Sequence, residues 1–68
     1  TMQLVEPTRG DYLAAAGLAN VCARAGVQLG TIDALIAQLA IAHDLTLLTT
    51  DRDFSLAAAH IPLRVWHP

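Results

Sequence analysis

Along this chain of 68 residues, apolar positions recur first at helical spacing and later in short continuous runs, and the switches between the two mark out its elements. Gln3-Leu4-Val5 reads as the end of a strand, closed by Pro7, which has no N–H for a sheet ladder. A helix is expected from Thr8 to Ala25, because Ala14, Leu18, Val21, Cys22 and Ala25 share one face while Asn20 and Arg24 fall on a wetter one. Thr8 with Asp11 resembles a capping box with Asp in place of Glu or Gln, and Gly26 stands where a left-handed cap is usual. After Gly30, Thr31 is the expected N-cap of a second helix. Ile32, Leu35, Ile36, Leu39 and Ile41, with alanines between them, leave that helix almost no polar side, so it is expected to be buried nearly all round.

Leu45-Thr-Leu-Leu-Thr49 has the length of a strand, and its continuous apolar character suits a parallel strand covered on both faces. Asp51 to Ala59 reads as a short helix punctuated by Pro62, and Leu63-Arg-Val-Trp66 as a last strand. The expected fold is α/β in the order β-α-α-β-α-β, without repeats or linkers. Right-handed crossovers make its strands parallel.

Composition changes this picture in one respect. Hydrophobic residues make up 54% of the chain and charged ones only 15%, with no lysine. A domain of this size buries only about 60% of its unfolded surface. Such a chain has more apolar surface than it can enclose, so further polypeptide, a second copy or a partner is expected to cover part of it. Starting at Thr1-Met2 and running at once into Leu4-Val5, it reads as a fragment that begins in mid-fold. A net charge of −2 and four arginines give no basic footprint for bulk nucleic-acid binding, so any such binding is local. A single cysteine, Cys22, on an apolar stripe argues against a disulfide framework and for a reducing, cytoplasmic setting. The longest mostly apolar run, Ile32 to Ala42, holds Asp33 and Gln38 and is too short to span a bilayer.

The candidate chemistry lies in three carboxylates. From Asp33 to His43 a helix climbs about 15 Å, and Leu45 to Thr49 as a strand runs back about 16 Å. An antiparallel helix and strand of those lengths bring Asp33 and Asp51 to one edge of the sheet, where open α/β sheets place ligands. Taken singly, Asp33 and Asp53 are ordinary first-turn acids and Asp51 an ordinary N-cap. Crowded together they would repel one another unless a cation sat between them, and oxygen ligands suit Mg²⁺ or Mn²⁺. The Thr49 hydroxyl is placed to position a carboxylate or a water. His43 reads as a helix C-terminal residue, and with no His-x-x-x-His or cysteine pair zinc is not expected. Ser55, the only serine, has no evident base, and Phe54, Trp66 and Tyr12 are too scattered for a base-stacking platform. Phe54 reads instead as a core anchor.

The runs Asp33-Ala-Leu-Ile-Ala with His43, and Leu47-Leu-Thr-Thr-Asp51-Arg-Asp53-Phe54, resemble the C-terminal half of a PIN-domain ribonuclease, in particular the VapC-type toxins of bacterial toxin–antitoxin pairs. The likeness is close from Gly26 to Trp66, and the helix from Thr8 to Ala25 fits the family's preceding helix. It implies a parallel sheet carrying an acidic cluster that binds Mg²⁺ or Mn²⁺ and hydrolyses RNA. It also implies Asp33 and Asp51 as catalytic metal ligands, Asp53 as a more variable ligand, and Thr49 as the supporting hydroxyl. RNA and a cognate antitoxin are the implied partners, with a homodimer or other self-association through the exposed apolar surface. The family's first metal-binding Asp and its helical Glu precede the region present here. Glu6 and Asp11 lack their motif context, so the chain alone is expected to be inactive. Two other readings compete. Asp51-x-Asp53 after a strand faintly resembles the nucleophile motif of haloacid dehalogenase-type phosphatases, and a non-catalytic binding or oligomerisation module would need the acids only as caps.

Overall fold

The structure, a computed structural model, describes residues 6–66. Its elements are α1 (Arg9–Arg24), α2 (Thr31–Ala42), β1 (Thr46–Leu48), α3 (Arg52–Ala58) and β2 (Arg64–Trp66). The strand expected at Gln3-Leu4-Val5 lies outside the described residues. The rest of the expected order is present as α-α-β-α-β, a small α/β fold.

Each helix begins and ends for a local reason. Thr8 and Asp11 form the expected capping box: the Thr8 side chain accepts from the Asp11 N–H, and the Asp11 carboxylate accepts from the Thr8 N–H at 2.9 Å. The same carboxylate accepts from Gln38 Nε2 at 3.5 Å, so the start of α1 lies beside the second half of α2 and the two helices run antiparallel. Helix α1 stops in a Schellman motif. Val27 N–H donates to the Cys22 carbonyl at 2.8 Å, Gly26 N–H donates to the Ala23 carbonyl, and Gly26 sits at φ +85°, which a side chain would oppose. Helix α2 ends the same way through Leu45 N–H to the Ala40 carbonyl and Asp44 N–H to the Ile41 carbonyl, but there the left-handed position, φ +55°, is held by Asp44. His43 is the C-cap of α2, as expected of a helix C-terminal residue.

Three local expectations are corrected. Gly30, not Thr31, is the N-cap of α2, and no side chain caps it. Glycine takes the extended backbone of that position readily, and Thr31 is drawn into the first turn. Helix α2 is also not buried nearly all round. Ala34, Ala37 and Ala40 are its buried residues, while Ile32 is 69% exposed and Ile36 is exposed as well. Small side chains let two helices approach closely, and the larger ones are left at the margins of the contact. Helix α1 follows the same rule, burying Ala15 and Cys22 and leaving Val21 exposed.

The third correction concerns the sheet. Strands β1 and β2 pair in parallel, with Thr46 opposite Arg64, Leu47 opposite Val65 and Leu48 opposite Trp66. Leu47 and Val65 turn inward against the core, but the alternate residues face outward and Leu48 is 68% exposed. Among the described residues one face of the pair is therefore open, because α2 and α3 both pack with the sheet through its inner face. The core beneath it comprises Cys22, Val27, Ala37, Ala40, Phe54, Ala57, Ile61 and Leu63. Cys22 is fully enclosed there, and burial pushes its thiol pKa up.

Candidate active site

Strand β1 and the turn after it position the acids. Thr49 follows β1 directly, and its N–H donates to the Trp66 carbonyl at 3.3 Å, extending the sheet pairing one step past the strands. Thr49 Oγ1 then accepts from the Asp51 N–H at 3.0 Å, a local hydroxyl turn that fixes where the Asp51 backbone goes. Asp51 is the N-cap of α3, its Oδ1 accepting from the Asp53 N–H at 2.9 Å. Thr49, Asp51 and Asp53 thus form one continuous hydrogen-bonded unit. The Thr49 hydroxyl supports this unit through the main chain rather than through a carboxylate.

Asp33 lies in the first turn of α2 and is half buried. Its Oδ2 lies over Gly30, 3.9 Å from where a β-carbon on that glycine would stand, and it makes no hydrogen bond or ion pair with the other described residues. No bond links it to Asp51 or Asp53. Among the described residues, no three histidine, cysteine, aspartate or glutamate side chains form a set that could hold a metal ion. The oxygen-only chemistry of Asp33, Asp51 and Asp53 suits a hard divalent cation. Their number and grouping fall short of a complete centre.

At the opposite end of the strands stands a pair that neither spacing nor motif signals. Arg64 Nη2 donates to both the carbonyl and Oδ1 of Asp44, each at 2.7 Å, tying the start of β2 to the turn between α2 and β1. Both side chains are largely exposed, so the pair contributes at most about 1 kcal/mol. A groove of about 240 Å³ between α1 and α2, lined by Tyr12, Ala15, Ala19, Leu29, Ala34 and Leu35 among others, lies apart from the acids. None of Asp33, Thr49, Asp51 or Asp53 lines it. No helix among the described residues is long and apolar enough to cross a membrane.

Comparison with known proteins identifies the family to which these elements belong. No curated protein and no solved structure matches the chain. The family model described as PIN domain matches residues 2–59, a span that takes in α1, α2, β1, α3 and all three candidate aspartates. With most of its length matched, the chain belongs to the PIN-domain family, a family of nuclease-type domains that typically use divalent metals.

Proposed function

We propose that residues 1–68 are the C-terminal part of a single PIN domain whose intact form is a Mg²⁺- or Mn²⁺-dependent endoribonuclease, acting in the cytoplasm as the toxin of a VapC-type toxin–antitoxin pair. The observation that carries this reading is the family match together with the place of the acids: Asp33 in the first turn of α2, and Asp51 held by Thr49 just past the C-terminal end of β1. A three-residue connection between α2 and β1 reverses the chain, which favours bringing these two residues to the same edge of the sheet. Asp33 and Asp51, with Asp53, are this chain's share of the metal ligands, and further carboxylates of the intact protein complete the set. Bound there, the cation would neutralise charge on a phosphoryl oxygen. Asp51 Oδ2 has no hydrogen-bond partner among the described residues and is the oxygen available for that purpose, since Oδ1 is committed to the cap.

Phosphodiesterase assays on single-stranded RNA test this, comparing the 68-residue chain with the same chain extended upstream of Thr1. Cleavage is expected only from the extended form and only with Mg²⁺ or Mn²⁺. Asp33→Asn and Asp51→Asn should each lower it by at least the roughly 100-fold that loss of an outer-shell partner can cost. Asparagine caps helices about as well as aspartate, so Asp51→Asn should keep its fold while losing activity. Strong Mg²⁺-dependent cleavage by the short chain would refute its inactivity, and full activity in Asp33→Asn would remove that residue from the site.

A second reading, a non-catalytic docking module for an antitoxin segment or a second copy, is favoured by the apolar groove and by exposed Tyr12, Leu13 and Ile32 on the two helices that form it. Calorimetric titration of the extended chain with Mn²⁺ separates the readings, because acids that serve only as caps bind no metal.

A further inference from the structure

We propose that Trp66 is a stacking platform for an RNA base next to the bond being cut, an inference that rests on the ribonuclease reading above. In sequence Trp66 looks remote from the acids. Parallel pairing of β1 and β2 changes that, because Trp66 closes β2 at the same end of the sheet as Thr49, and its carbonyl accepts the Thr49 N–H. Thr49 in turn accepts the Asp51 N–H, so two successive hydrogen bonds separate the backbone that carries the indole from the backbone that carries the proposed ligand.

Alternation along β2 puts Val65 inward and Trp66 outward, directly across from Leu48 on the open face. Trp66 is 54% exposed. So large an apolar ring left half in water gains free energy from any flat partner, and every nucleobase offers a π-face. The surroundings favour a nucleotide over a protein. Apart from Leu48 and Trp66, the outward residues of the two strands are Thr46 and Arg64, far less apolar surface than the roughly 800 Å² per partner of a stable protein interface. Arg64 is engaged by Asp44, but Arg52, adjacent to Asp51, is exposed and has no partner among the described residues. It supplies a free cation for the phosphate that joins the stacked base to the acidic edge. Trp66 also lies beyond the residues matched by the PIN-domain model.

Trp66 is the single tryptophan of the chain, so tryptophan emission reports on this ring alone. The 68-residue chain is titrated at low salt with an oligouridylate blocked by methylation at its ribose hydroxyls, and binding is followed in parallel by anisotropy of a labelled oligonucleotide. Saturable quenching is expected, with roughly 5- to 150-fold weaker binding in Trp66→Ala and most of the affinity restored in Trp66→Phe. Circular dichroism checks that both variants are folded. Emission unmoved by the oligonucleotide overturns the proposal, as does equal affinity in folded Trp66→Ala. Quenching that follows protein concentration without RNA also overturns it, since a second copy then covers the ring. The two readings fail separately. If the extended chain shows Asp51-dependent cleavage with a KM unmoved by Trp66→Ala, the stacking role falls and the nuclease stands. If an oligonucleotide quenches Trp66 but the extended chain never cleaves, the contact stands and the nuclease falls.

Discussion

Phe54 is the one aromatic ring among the buried core residues described, and it is carried by α3, a helix of only seven residues. Replacing a buried Phe by Ala typically costs about 3–5 kcal/mol, against a total stability of roughly 3–10 kcal/mol for a chain of this length. Phe54→Ala should therefore leave much of the population unfolded at room temperature, and a cooperative urea transition like that of the parent would contradict this. Asp11 offers a smaller test. Its carboxyl is held below the usual carboxylate range, first by the Thr8 N–H and then by the Thr8 hydroxyl and Gln38, with burial opposing. The carboxylate form is favoured in the folded state, so this contribution is present above the unfolded pKa and is lost as pH falls through the depressed folded one. In Asp11→Asn the acid side of the stability profile should be flatter, measured as urea midpoint against pH.

At the scale of elements, the turn from α2 into β1 is the most exacting backbone. Asp44 occupies a left-handed position that suits glycine, asparagine or aspartate, and Arg64 grips both its carbonyl and its carboxylate. Asp44→Ala should lose roughly 1–2 kcal/mol and Asp44→Asn much less, as read by thermal unfolding. Equal losses would assign the effect to the ion pair instead of the backbone. The sequence announces this turn poorly, since nothing local marks Asp44 as the reversal point, whereas Gly26 marks its counterpart after α1 plainly. The Thr8–Asp11 box, the extent of α1 and α2, the parallel strands and the α3 cap at Asp51 are all legible because each depends on neighbours within four residues or on chain-reversal rules. Which side of α2 is buried is not legible from its pattern. Isoleucine, leucine and alanine intermixed around the helix fit either face, and close helix packing selects the alanines. Asp51 and Asp53 are readable for the same local reason, while the relation of Asp33 to them depends on long-range packing that spacing alone only bounds.

Across the whole molecule, several of the largest apolar side chains lie outside the core. Tyr12, Leu13 and Ile32, on the α1–α2 margin, are all more than half exposed, while the interior leans on alanine. Self-association is the expected response in water. Sedimentation equilibrium should show a mass that rises with concentration, and Leu13→Glu with Ile32→Glu should suppress it. A monomer at every concentration would show that the apolar α1–α2 margin tolerates solvent. The cap at Asp51 carries a last consequence. One carboxylate oxygen grips the Asp53 amide, and the helix begun there drives Phe54 and Ala57 into the interior. A ligand drawn to Asp51 therefore acts on the same carboxylate that starts this helix. The Asp53 amide resonance is thus a built-in sentinel, shifting whenever a visitor arrives at residue 51, before any chemistry has taken place.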